Sequence, residues 1–154
     1  MNSEFLERSI EIAEKSVQHG GGPFGAVIVK EGRIVAEAEN TVTKDMDPSA
    51  HAEINAIRKA CKKLETHELS RTEIYCSCEP CPMCLSAIYW ARIPKVYFAA
   101  SRSDATGAGF SDSFIYSEFE KSENTRSIST IHVKISGYQK PFIAWNGKKD
   151  REEY

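Results

Sequence analysis

The chain lacks a strong excess of either charge: 20 Lys and Arg stand against 22 Asp and Glu, a formal net charge of −2. Its pI near 6.1 gives no basic footprint for nucleic acid, which favours a pI above about 9 or a basic patch. No apolar run approaches the ~20 residues of a membrane span. The first residues, Met1-Asn-Ser-Glu-Phe-Leu-Glu7, carry acids where a secretory leader needs a basic and then an apolar region. There is no internal repeat, linker or low-complexity stretch. Cysteine is scarce and odd in number, five in 154 residues, so a fully paired disulfide framework is excluded. The expectation is a cytoplasmic protein whose thiols stay reduced and favour metal binding. One domain spanning 1–154 is expected, large enough to bury about 68–70% of its unfolded surface without disulfides.

What the chain does have is concentrated. Four of the five cysteines fall within Cys76-Ser-Cys-Glu-Pro-Cys-Pro-Met-Cys84, and His51-Ala52-Glu53 lies upstream. Cys81 and Cys84 are i, i+3 thiols, and His51 offers a nitrogen. Three such ligands leave one tetrahedral position on Zn²⁺ open, which distinguishes a catalytic zinc from a closed structural one.

Local patterns place these residues. Residues 3–18 read as an amphipathic helix with Ser3 as N-cap, stopped by Gly20-Gly21-Gly22-Pro23. Residues 24–30 and 33–40 read as a hairpin around Glu31-Gly32, ending at Asn40. Residues 41–47 read as loop. Asp47 and Pro48 predict the N-cap and first turn of a second helix, with Ile54, Ile57, Cys61 and Leu64 on its buried face. Glu53 projects toward the core side there, where a carboxylate needs a partner. Residues 73–78 read as a strand leading into the cysteines. Pro80 and Pro82 open a third helix, whose positive end helps deprotonate Cys81 and Cys84. Residues 95–100 predict a fourth strand, 101–110 a loop, 111–121 a helix, and 128–135 a fifth strand. The tail carries an apolar patch, Phe142-Ile-Ala-Trp145, and ends Glu152-Glu153-Tyr154. This order predicts an α/β fold with a mixed five-stranded sheet covered on both faces. Both halves of the cysteine–histidine feature then sit at helix N-termini along one sheet edge.

Each half alone is ambiguous. The four clustered cysteines could form a closed structural zinc site, but their spacing is compressed and Cys76 and Cys78 belong to a strand. Cys81-Pro-Met-Cys84 could be a redox pair, which leaves His51 and Glu53 idle. His51 could be a satisfied core histidine, the default for His19, His67 and His132. A zinc-binding interaction module is the non-enzymatic alternative, and it has no use for Glu53. Taken together, His-x-Glu followed by Pro-Cys-x-x-Cys is the signature of zinc nucleobase deaminases, in which a glutamate that is not a ligand shuttles protons. Zinc brings the pKa of water to about 7, giving hydroxide at neutral pH. The carbon attacked must be an amidine-like C–NH₂ of a heteroaromatic ring.

Gly-Gly-Pro-Phe-Gly-Ala-Val, His-Ala-Glu-Ile and Cys-Glu-Pro-Cys-Pro-Met-Cys followed by Ile-Tyr-Trp-Ala-Arg resemble the cytidine deaminase superfamily. Residues 109–116, Gly-Phe-Ser-Asp-Ser-Phe-Ile-Tyr, and the Glu-Tyr ending resemble the small bacterial-type guanine deaminases within it. The resemblance implies a three-layer α/β/α cytidine-deaminase-like fold, a homodimer, and hydrolysis of guanine to xanthine and ammonia. It implies Zn²⁺ on His51, Cys81 and Cys84, and Glu53 as proton shuttle. It further implies Phe24 stacking on the base, Asn40 and Ala52 contacting the purine, and Asp112 and Tyr154 reaching the site. The tail, about 139–154, would complete an active site, either in its own subunit or by exchange between subunits. A guanosine deaminase, and a wobble adenosine deaminase acting on tRNA, share the motif. The slight negative charge favours a free base over nucleic acid.

Overall fold

The structure, a computed structural model, describes residues 2–153. It divides into two compact units, Met1–Ser113 and Phe114–Tyr154.

The first unit opens with helix α1, Ser3–Gln18. Its cap is Asn2, whose side chain accepts from Glu4 N at 3.1 Å; Ser3, expected as the cap, is the first helical residue. Strands β1 (Gly22–Lys30) and β2 (Arg33–Asn40) pair antiparallel. Glu31 and Gly32 both take positive φ, 50° and 73°, the geometry that matches a two-residue turn to strand twist. Strand β3 (Glu73–Cys78) pairs antiparallel with β1, and β4 (Val96–Ala100) pairs parallel with β3. Helix α4, Pro82–Trp90, supplies the crossover that a parallel pair requires. The sheet is mixed, in the order β2-β1-β3-β4.

It has four strands, not the expected five. Residues 128–135 form no strand among the described residues, and Ile131, Val133 and Ile135 are exposed. Their alternation satisfies the local pattern of a strand, but a strand exists only when a neighbour takes its backbone groups.

The period of two sorts the sheet into two faces. Val27, Val29 and Tyr75 point to one side and pack with Ile12, Phe5 and Leu6 of α1. Ala26, Ile28, Ile74 and Cys76 point to the other, against Ala52, Ala56 and Ala60 of helix α3 (Ala52–Leu64) and Ile88 of α4. The first unit is therefore the expected three layers, α/β/α. The face of α3 that meets the sheet is lined by alanines and Glu53. Ile54, Ile57, Cys61 and Leu64, expected to be buried, are half-buried. The small side chains let α3 lie close over the sheet.

Helix α3 also protects an edge. At i, i+4 and i+8, Asn55 Nδ2, Lys59 Nζ and Lys63 Nζ donate to the carbonyls of Glu39, Glu37 and Val35, at 3.1, 3.0 and 3.0 Å. These alternate carbonyls belong to β2, the outer strand, whose unpaired groups would otherwise invite another chain.

Two short helices occupy segments read as loop: α2 (Val42–Asp45) and α5 (Arg102–Gly107). In the second unit, α6 (Ser113–Glu120, its first residue in the first unit) and α7 (Lys140–Gly147) flank a 3₁₀ turn, Glu123–Thr125. Phe114 and Phe119 of α6, expected inward, are exposed, whereas Glu118 is buried. Its carboxylate accepts from Ser127 N and Oγ and pairs with Lys121, which ties α6 to the turn after it. All five cysteines are free thiols, and no described helix is long and apolar enough to cross a membrane.

Candidate active site

Two helix starts build the centre. Pro48 does not begin α3. Asp47 Oδ1 instead accepts from Ser49 N at 2.8 Å and Ser49 Oγ at 2.7 Å, and Ala50 N returns to Asp47 O at 3.0 Å. This tight turn delays the helix until Ala52 and leaves His51 as its N-cap, with extended φ −69° and ψ 156°. Cys81 is the N-cap of α4 in the same conformation, φ −66° and ψ 169°, followed by Pro82. Neither side chain caps its own helix, so both are free to turn toward each other. Cys84 lies one turn into α4 and Glu53 in the first turn of α3.

His51 Nδ1 lies 3.6 Å from Cys81 Sγ and 3.5 Å from Cys84 Sγ. One donor atom from each of the three falls within 4.8 Å of the others, the one such His/Cys/Asp/Glu group among the described residues. Zn–S bonds of about 2.3 Å and Zn–N bonds of about 2.0–2.1 Å in a tetrahedron require N···S separations near about 3.6 Å. The observed pair matches, so this donor set fits zinc. Cys84 is fully buried, and Cys81 and His51 are half-buried, which leaves the cluster open on one side.

The electrostatics are those of thiols crowded together. The adjacent Cys84 side chain, with His51 beside it, lowers the Cys81 thiol to about 4. The same contact, with burial, pushes Cys84 up. The Cys81 thiolate holds His51 toward its charged form. Glu53 is only 7% exposed, and burial raises its carboxyl pKa. Its Oε2 accepts from Cys84 Sγ at 3.4 Å, so a proton carrier stands against the ligand cluster.

The sheet brings other expected residues to the same end. The register pairing Ala26 with Cys76 carries Phe24 level with Cys78, where the chain leaves β3 for Cys81. Asn40 ends β2 opposite Gly22. It is 7% exposed; its Oδ1 accepts from Val42 N at 3.2 Å and its backbone carbonyl from Ser16 Oγ at 3.3 Å. With Oδ1 engaged inward, its Nδ2 is the end left to donate. Ala52 is buried beside Glu53. Asp112 is half-buried immediately before α6, with no contact that joins it to the cluster. Tyr154 lies outside the described residues.

Sequence reasoning missed Phe110. Its ring meets Phe24 edge to face, centroids 5.0 Å apart at 87°. Helix α5 delivers it. Ser101 and Asp104 form a reciprocal capping box, a signal legible as Ser-Arg-Ser-Asp but hidden by the Gly/Ser/Asp composition of the segment.

Residues 1–100 match the family described as the cytidine and deoxycytidylate deaminase zinc-binding region. The chain is 52% identical to a guanine deaminase of Bacillus subtilis strain 168, over all of both chains. Its structure superposes on the crystal structure of the Bacillus subtilis guanine deaminase with a TM-score of 0.96, at 51% identity, covering 100% of this chain and 99% of that one. A tRNA-specific adenosine deaminase of Aquifex aeolicus is 45% identical over 62% of this chain and 64% of its own. The guanine deaminase from Nitrosomonas europaea aligns at TM-score 0.68 and 31% identity, over 70% of this chain and 63% of that one.

Proposed function

The chain belongs to the cytidine and deoxycytidylate deaminase zinc-binding family, and from that premise we infer that it hydrolyses guanine to xanthine and ammonia. The observation that carries the substrate is the extent of the likeness. The guanine deaminase matches across the whole chain, whereas the tRNA deaminase matches over 62% of it. Beyond the zinc-binding region lie the 109–116 segment and the tail, the parts that distinguish a free-base pocket from a nucleic-acid surface.

His51 Nδ1 and the thiolates of Cys81 and Cys84 would hold the zinc. When bound, it supplies the Lewis acidity that brings a water's pKa to about 7. Glu53 accepts one proton from the attacking water and delivers it to a purine ring nitrogen, then carries the second, from the added hydroxyl, to the departing amine. Atoms balance: a C–O bond forms, the exocyclic C–N bond breaks, and the water's protons leave with ring and ammonia. Burial fits Glu53 for this, because a carboxyl with a raised pKa takes up a proton more readily than an exposed one and can return it. Phe24 stacks on the base, Ala52 packs against it, and Asn40 donates from Nδ2 to a ring acceptor. Asp112 assists Glu53 in the catalysis, and Tyr154 completes recognition of the purine.

The whole chain works as one deaminase domain in the cytoplasm, where its five free thiols stay reduced. It acts as a homodimer. The support is that β4 is an outer strand, with β3 its one neighbour among the described strands, so its free edge is open to a second copy. The 139–154 tail exchanges between subunits to complete each active site.

The test is a panel of guanine, guanosine, adenine, cytosine, cytidine and tRNA, scored by ammonia release. Guanine should show the highest kcat/KM. Turnover of tRNA adenosine with none of the free bases would overturn the reading.

A further inference from the structure

Phe110 follows helix α5 in the first unit. It belongs to neither core cluster, whereas Phe24 packs against one of them. It stays 47% exposed, yet its backbone is tightly held. Helix α5 is fixed at its start to the strand that carries the cysteines: Cys78 Sγ donates to Ser101 O at 3.6 Å, and Arg102 N donates to Glu79 Oε2 at 3.2 Å. At its end, Gly109 takes φ +91°. Gly109 N returns to Thr106 O at 3.0 Å and Phe110 N to Ala105 O at 2.9 Å. These two bonds with a left-handed glycine form a Schellman cap. A residue with a Cβ is strained at that φ, so Gly109 determines where Phe110 emerges. Among the described residues, the one aromatic partner it meets is Phe24, at 87°.

A fixed backbone, an exposed ring and a contact with the proposed base-stacking residue make poor sense as core packing. They make sense as a brace. We propose that Phe110 is a positioning residue for the purine, setting through its edge-to-face contact the plane in which the Phe24 ring receives the base. This rests on the guanine reading given above. The route of control runs from Cys78 and Glu79, through α5 and Gly109, to the Phe110 ring. The strand that leads into the zinc ligands thus also sets the tilt of the stacking face. Phe110 touches no reacting atom, so its loss acts on binding and not on the proton transfers. An edge-to-face contact requires an aromatic ring and not merely apolar volume.

The experiment compares Phe110→Leu, Phe110→Tyr and Phe110→Trp with the wild-type dimer, measuring kcat and KM for guanine, the Kd of xanthine and the Tm. Phe110→Leu should raise KM and the xanthine Kd about 3- to 10-fold with kcat within about twofold. Phe110→Tyr should restore both, and Phe110→Trp should lie nearer to Tyr than to Leu. Gly109→Ala, which displaces the ring without altering it, should reproduce the Leu variant. Equal KM and Kd in the Leu and Tyr variants would overturn the proposal, as would a fall in kcat and Tm together at unchanged KM. A wild type that leaves guanine untouched fails the parent reading before any variant is compared. A working wild type matched by the Leu variant fails the brace alone.

Discussion

Replacing Glu53 by Gln separates a proton shuttle from a ligand or a fold determinant. Gln keeps the shape of Glu53, whose Oε2 lies 3.4 Å from Cys84 Sγ, but cannot carry a proton. The donor atoms that fit zinc are His51 Nδ1, Cys81 Sγ and Cys84 Sγ, so the metal should remain. Stability should change little. The native carboxyl is held at 7% exposure with its pKa raised by burial, so a neutral amide is at least as easy to bury. Catalysis should suffer. General acid–base help is typically worth 10²–10⁴-fold, which at about 1.36 kcal/mol per decade is about 2.7–5.4 kcal/mol of barrier. The assay is kcat for ammonia release from guanine, with zinc content measured on the same sample. One zinc per chain with kcat down at least about 100-fold supports the shuttle. Loss of zinc together with activity would make Glu53 a ligand or a fold determinant, and wild-type kcat would remove it from the chemistry.

Three other outcomes follow from the same geometry. Gly25→Ala would drive a Cβ against the Ser9 carbonyl and to 2.8 Å from Ala13 N, where α1 crosses β1; such overpacking should destabilise by about 1–3 kcal/mol, read as a lower denaturant midpoint. Glu118 is held down to about 2, first by Lys121 and then by the Ser127 backbone and hydroxyl. Its depressed pKa means its contribution is present above the ordinary value of 4.5 and lost as pH falls through about 2. Amides of 118–127 should therefore lose exchange protection in that window, and Glu118→Gln should lack the transition. Deleting Tyr154 should lower kcat/KM for guanine without moving the Tm; unchanged kinetics would take the tail out of recognition.

The site was more legible in the sequence than the fold around it. His51, Glu53, Cys81 and Cys84 were found because metal chemistry restricts residue type and spacing together. Of the two helix starts that hold them, the cysteine-bearing one opens at Pro82 as expected and the other does not. Asp47-Pro48 looked like a helix opening, and only the turn closed by Ser49 and Ala50 shows that the helix waits for Ala52. That delay is what frees the His51 ring. The strand expected at 128–135 failed for a different reason. Alternation reports a preference for pairing, and pairing is not local. Helix α5 was hidden by composition, although its capping box was present, and with it went Phe110. Asn55, Lys59 and Lys63 illustrate the same limit. Nothing in their spacing names a target, and only the fold shows that they meet alternate carbonyls of β2.

The central claim is a zinc-dependent hydrolysis of guanine, and metal-stripped protein tests it most directly. After removal of zinc and restoration of one equivalent, guanine loss, xanthine gain and ammonia are followed together. The account predicts no turnover in the stripped protein. It predicts recovery at one zinc per chain, with one xanthine and one ammonia formed for each guanine consumed. Turnover that survives full zinc removal, or guanine that stays intact in the reconstituted protein, would contradict it.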